Sequence, residues 1–180
     1  MNGIVALVKR YPLAVFIGLT YLLSWWPSLL YMWGMSPIGV AAFGPFLAAL
    51  IVLGMTEGRA GVKTLLRRMV HWRVGWQWWL VALVLPILMS GIASYLTVLL
   101  GAPAPNAAQL GAWPAIFATF VLRLLVPGLG GAWEEPGWRG YAVHRLEIGR
   151  SRLWAMLPLW IIIVVWHIPL FLTGDAEWVD

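Results

Sequence analysis

The chain has 180 residues, of which 62% are hydrophobic and 11% charged, and it contains no cysteine. A soluble domain of this length would be nearer half apolar and a quarter charged, so this composition excludes an ordinary soluble globule; the missing cysteine excludes disulfides, a thiolate nucleophile and cysteine-built zinc sites. The net charge of +5 is clustered between apolar runs, a pattern that fits membrane topology and gives no reason to expect nucleic acid as a partner.

Residues Pro12 to Trp33 are uncharged and long enough to cross a bilayer, which takes about 20 apolar residues. A signal peptide would have a shorter apolar core and a small-residue cleavage site, which Ser24-Trp25-Trp26-Pro27 does not supply. Pro37 to Met55 reads as a second span. Leu80 to Leu100 reads as a third, preceded by Trp72, Trp76, Trp78 and Trp79, a set that suits an interfacial aromatic belt. Trp113 to about Leu125 opens a fourth membrane segment, which contains Arg123 and stops at Pro127-Gly128-Leu129-Gly130-Gly131. Leu153 to Leu172 is the fifth. These segments predict an all-α protein, a polytopic α-helical transmembrane bundle of about five membrane segments forming one integral membrane domain over residues 1–180. There is no internal repeat.

The basic residues orient it. Lys9 and Arg10 precede the first span; Arg59, Lys63, Arg67, Arg68 and Arg73 lie between the second and third; Arg139, Arg145, Arg150 and Arg152 lie between the fourth and fifth. The connections at Gly34 to Ser36 and Gly101 to Gly111 hold neither Lys nor Arg, and the tail carries only Asp175, Glu177 and Asp180. Every Lys and Arg except Arg123 therefore falls on one side, which predicts a cytoplasmic N-terminus.

Trp133-Glu134-Glu135-Pro136-Gly137-Trp138-Arg139 does not fit a plain bundle. Two carboxylates between membrane spans are either an ordinary polar loop at the cytoplasmic surface or, at membrane depth, a functional site. Helix over 133–148, turning near Gly149, puts Pro136 in the first turn, where its missing N–H costs nothing, and a glycine at the C-terminal end. Counted from position 150, Glu134 lies 16 residues before and His167 lies 17 after. Both levels then sit roughly 25 Å along the hairpin from the turn, so the two side chains can face each other. Glu135 and Arg139, four apart, share a helix face and can pair, leaving Glu134 as the free carboxylate. A carboxylate and an imidazole in a dry cavity can activate water and steady an oxyanion. The Gly-rich break makes either a helix N-terminus favourable to negative charge or a kink in one long helix. A metal is the rival chemistry: Glu134, Glu135 and His167 could supply three ligands to a divalent ion, although no His-Glu-x-x-His is present. His71 and His144 read as solvated or interfacial.

At these residues the chain resembles the CPBP family, which holds the CAAX prenyl proteases of Ras-converting type and the bacterial Abi bacteriocin-immunity proteins. Glu134-Glu135-x-x-x-Arg139 is similar to its first motif, and Ile163-x-x-x-His167 to its second, with Ile at the aromatic position. Ala42-Phe43-Gly44-Pro45-Phe46-Leu47-Ala48-Ala49 and the Arg-rich stretch into Trp76-Gln77-Trp78-Trp79 extend the resemblance over most of the chain. The resemblance implies an α-helical intramembrane peptidase in a bacterial cytoplasmic membrane. In it Glu134 is the base, Glu135 and Arg139 support it and His167 assists, on a peptide or protein substrate. It implies no firm cofactor, a divalent metal remaining open. The family's third motif, His-x-x-x-Asn-like on a later helix, is absent, so the chain is expected to be the N-terminal part of a longer domain or a degenerate member. The competing expectations are a non-catalytic immunity or partner-binding protein on the same scaffold, and a transporter with Glu134, Arg123 and His167 along a polar path. No inverted repeat supports transport.

Overall fold

The computed structural model describes residues 3–36, 39–104, 113–127, 130–149 and 151–173, without the side chains of Trp113 and Arg152. The expected Pro37 start, most of the external loop, Gly128 and Leu129 of the break, Arg150 and the acidic tail lie outside those residues. Among the described residues the chain is all-helical and has no strand. The elements are α1 (Gly3–Arg10), α2 (Pro12–Met32), α3 (Gly44–Thr56), α4 (Gly58–Met69), α5 (Trp76–Leu99) and α6 (Trp113–Leu125). A nearly continuous run follows: a 3₁₀ turn (Gly131–Trp133), α7 (Glu135–Gly137), a π turn (Trp138–Ala142) and α8 (Val143–Leu146); α9 (Arg152–Thr173) comes last.

Among the described residues three helices are long and apolar enough to cross a membrane, Pro12–Met32, Trp76–Leu99 and Leu153–Leu172. This is fewer than the five expected. The segments at 37–55 and 113–125 form helices of only 13 residues each. At 1.5 Å per residue each is about 20 Å long, short of a hydrocarbon core of about 30 Å. The start of α3 is delayed because the preceding backbone is engaged elsewhere. Ser28 Oγ donates to the Gly39 carbonyl, and the Ala41 N–H donates to the Ser24 carbonyl at 2.9 Å. Its end is set by Glu57 and by Gly58, whose φ of +65° breaks the helix before α4. What reads as a basic loop in sequence is therefore largely helix.

The chain forms two compact units, Met1–Met69 with Leu122–Asp180, and Val70–Val121. In the second, α5 has no buried residue. The first is built on one face of α2. Phe16, Thr20, Ser24 and Ser28 recur every four residues and are all buried. Small residues let the backbones touch: a Cβ added at Gly44 would stand 2.0 Å from Ser24 Oγ, and one at Gly137 would stand 2.4 Å from the Pro45 carbonyl. In lipid, where helices gain little from hiding apolar surface, such close approach is a main source of association. Aromatic rings finish the core. Phe16 meets Trp138 edge-on at 5.6 Å, and Trp138 meets Trp166 edge-on at 6.0 Å. Two bonds fix α9 against α2: Tyr21 Oη donates to the Ile162 carbonyl at 2.8 Å, and Trp25 Nε1 to the Trp166 carbonyl at 3.0 Å. The Glu-bearing run is thus wedged between α3 and this aromatic column.

Candidate functional site

The run that carries the two glutamates begins in a tight turn and ends at Gly149, whose φ is +72°. Pro136 falls in the first α turn. The Glu134 carbonyl accepts the Gly137 and Trp138 N–H groups at 3.0 and 3.1 Å, closing that turn. The π turn then adds a residue to the helical cycle, a rare feature that is frequent at functional sites. Along it Trp138, Tyr141 and Ala142 face the core while Arg139 is exposed.

The two neighbouring carboxylates go separate ways. Glu134 is half-buried, and its Oε2 accepts a hydrogen bond from Trp138 Nε1 at 3.0 Å. Burial pushes its carboxyl above the usual carboxylate range; the Trp138 bond and the charges of His167 and Arg139 oppose that rise without cancelling it. Glu135, one residue on, forms an ion pair with Arg139 on the adjoining turn. His167 is half-buried on α9, with Nδ1 2.8 Å from the Ile163 carbonyl. A carbonyl only accepts, so Nδ1 carries the proton there and Nε2 is the ring atom left for other partners.

Among the described residues several cavities flank the run, two of them against its glutamate-bearing half. One, of about 600 Å³, lies against α9 and is walled by Trp138, Arg139, Leu159, Ile163, His167 and Phe171 among others. The other, of about 460 Å³, lies on the α4 side and is walled by Arg68, Leu124, Trp133, Glu135, Arg139 and His144 among others. Glu134 lines neither. Glu134 and His167 are within electrostatic reach, yet the carboxylate turns to the Trp138 indole and not into a cavity shared with the imidazole. The reason is the Trp138 donor, four residues away on the same turn, which captures the carboxylate locally. Arg123 is exposed on α6 and lines neither cavity. Among the described residues no three His, Asp or Glu side chains are grouped as a metal ion requires; the divergence of Glu134 and Glu135 is why.

Three neighbours of the site carry no motif signal. Trp138 is one. Arg68 is another, donating from Nη1 to the Gly140 carbonyl in the π turn at 3.3 Å. Tyr141 is buried with its hydroxyl unpartnered, and burial pushes that hydroxyl up to about 12. Arg145 lies over its ring at 5.2 Å and pairs with Glu57, tying α8 to the end of α3. Only the four-residue spacing of Glu134 and Trp138 was visible beforehand. Comparison with known proteins adds no family: no protein-family model, curated protein or solved structure matches the chain.

Proposed function

We propose that the chain is a membrane-embedded endopeptidase of CPBP type, in which Glu134 activates the water that attacks a peptide bond. The observation that carries this reading is the division of labour between the two carboxylates. Glu135 neutralises Arg139, while Glu134 is desolvated, singly hydrogen-bonded and within the field of His167. A carboxylate whose pKa is raised by burial is a stronger base toward water than an exposed one. Water's proton passes to Glu134 as its oxygen bonds to the carbonyl carbon; Glu134 then returns that proton to the leaving amine as the C–N bond breaks. In this reading His167, when its ring is neutral, accepts a hydrogen bond from the water at Nε2, and Arg139 is the cation for the developing oxyanion. The groove beside α9 takes the substrate, a peptide or protein segment.

The three long helices support an integral membrane location, with α3 and α6 as the other embedded segments of a five-segment bundle. The distribution of Lys and Arg supports a cytoplasmic N-terminus. A second reading, a non-catalytic immunity or partner-binding protein on the same scaffold, is favoured by one observation: the Glu134 carboxylate lines neither cavity. Proteoliposomes incubated with a quenched-fluorescent peptide library separate the two. The peptidase reading expects cleavage that Glu134→Gln abolishes; no cleavage by the parent chain favours the non-catalytic protein, and wild-type rates in the variant remove Glu134 from the role of base.

A further inference from the structure

The cavity on the Glu135 side holds a basic residue, Arg68, that the proposed peptide hydrolysis does not use. Its wall holds two guanidinium groups, Arg68 and Arg139, with His144, and one carboxylate, Glu135. The charges are not evenly met. Arg139 is paired with Glu135, and His144 stands 3.9 Å from Glu147. Arg68 has no carboxylate within ion-pair distance among the described residues; its one hydrogen bond, to the Gly140 carbonyl, uses Nη1. A guanidinium has five N–H donors in a planar fork, so most of Arg68's remain for an anionic oxygen ligand. The rest of the wall, Leu65, Met69, Leu124, Trp133 and Pro136, is apolar. A cationic edge on an apolar hollow fits an amphiphile and is poorly matched to a free ion, whose hydration shell would have to be given up against leucine and tryptophan.

The helix that presents Arg68 points the same way. α4 buries Gly61 and Leu65 on one side. It exposes Arg59, Lys63 and Arg67, four residues apart, on another. Exposed Leu66 and Met69 lie beside that cationic stripe. An amphipathic helix of this kind lies in the plane of lipid headgroups and gathers anionic ones. From these observations together we infer that the cavity is a binding site for an anionic phospholipid. The phosphate engages Arg68 at the edge shared with Arg139, and the glycerol and first acyl carbons lie against Leu65, Leu124 and Trp133. The bound phosphate also braces the π turn, because Arg68 holds its Gly140 carbonyl. The inference rests on the membrane location proposed above and is independent of the peptidase chemistry.

The test uses the full chain in neutral detergent micelles doped with phosphatidylglycerol or with phosphatidylcholine, reading thermal unfolding as lipid is titrated. Phosphatidylglycerol should raise Tm saturably and phosphatidylcholine should not. Arg68→Gln should weaken the apparent affinity by at least about fivefold, the worth of one basic side chain against an anionic lipid surface. Arg59→Gln removes the same charge from the open stripe and should change it by less than about twofold. Leu124→Trp fills the hollow while keeping every charge; it should also remove the phosphatidylglycerol effect, and it carries the test if Arg68→Gln unfolds. Equal effects of Arg68→Gln and Arg59→Gln, equal stabilisation by both lipids, or full stabilisation by inorganic phosphate alone would each overturn the lipid site. Glu134→Gln should bind phosphatidylglycerol as the parent does, so loss of the peptidase reading leaves this result standing. Recovery of the protein from the soluble fraction of washed cells would overturn the membrane location and this site with it.

Discussion

The Glu134 side and the Glu135 side of one short helical run differ more than their adjacency suggests. On the first, a carboxylate is desolvated against an aromatic column and held by a single indole N–H. On the second, a carboxylate is more than two-fifths exposed and answered by a guanidinium four residues on. The same functional group thus has its pKa raised by burial on one face and is met by a counter-ion on the other. Burial with little compensation makes a base; a counter-ion makes an anchor. A helix turns each residue about 100° from the last, so adjacent glutamates cannot share one environment. Doubling the carboxylate therefore gives two roles and not one stronger site.

The largest expected effect falls on the first face. Glu134→Gln keeps shape and removes the carboxylate, and on the proposed peptidase reading should abolish peptide cleavage in proteoliposomes. It should also change how stability responds to pH. Burial sets the folded-state pKa of Glu134 above its unfolded value. The folded state then binds the proton more tightly, so the parent chain gains stability as pH falls through the raised pKa toward the ordinary carboxylate range. Above that window the charged, buried form is a cost. Glu134→Gln should flatten this response and be the more stable protein at alkaline pH, as read by thermal unfolding in detergent. Lower stability of Glu134→Gln at alkaline pH would mean that the carboxylate is a structural anchor like its neighbour.

Next in size is the contact that holds both faces in place. Gly137 sits where an added Cβ would stand 2.4 Å from the Pro45 carbonyl, a backbone group that cannot swing aside. Gly137→Ala should cost about 1–3 kcal/mol by forcing α7 off α3, and should lower both cleavage and lipid selectivity. Gly18, on α2, has nothing within 4 Å of its would-be Cβ. Gly18→Ala should be neutral or stabilising by up to about 1 kcal/mol, since alanine is the better helix former. Equal losses from the two substitutions would show that the close approach is not what sets the run. A smaller, purely chemical change is Trp138→Phe. It keeps a ring between Phe16 and Trp166 and deletes the donor to Glu134. The lost bond favours the ionised carboxylate, so the acid limb of the cleavage-rate profile should move to higher pH. An unmoved limb with a merely scaled rate would reduce Trp138 to packing.

Much of this comparison was legible in the sequence, but unevenly. Helix, the three long apolar spans, Pro136 in a first turn, a terminal glycine at Gly149 and the Glu135–Arg139 pair all follow from spacing and from the habits of single residue types. Such rules act within one turn or one element. What the sequence concealed depends on the chain meeting itself. Nothing local says that Ser28 and Ser24 hold the backbone at Gly39 and Ala41 and so shorten α3. Nothing local says that α3 needs a glycine at 137, or that Arg68 reaches the Gly140 carbonyl from 72 residues away. The π turn is the clearest case. An α-helix through 138–142 satisfies the same hydrophobic pattern, and only the packing of Trp138 and Tyr141 around Phe16 selects the wider turn. Glu134 and His167 lie within electrostatic reach, but nothing in their spacing says that the Trp138 indole takes the Glu134 carboxylate.

The smallest expected effect belongs to the second face, and it is the sharpest test of the contrast. The Glu135–Arg139 pair joins side chains that are 44% and 69% exposed. Pairs of that kind gain little, because water and lipid headgroups screen them and two long side chains lose freedom to meet; the usual worth is about 0–1 kcal/mol. Glu135→Gln should therefore lower stability by no more than that, and raising the salt concentration should shrink the difference. A double-mutant cycle with Arg139→Gln should return a coupling of the same small size. Cleavage should fall by more than stability does, because the released Arg139 is no longer held on the wall of the groove that His167 shares. Lipid selectivity should rise or hold, since the one carboxylate on the cationic cavity has gone. The result that would erase the distinction between the faces is a Glu135→Gln protein that gains stability at alkaline pH while losing all cleavage. That pattern would make Glu135 the desolvated base, and the pairing with Arg139 would then be its route to the substrate.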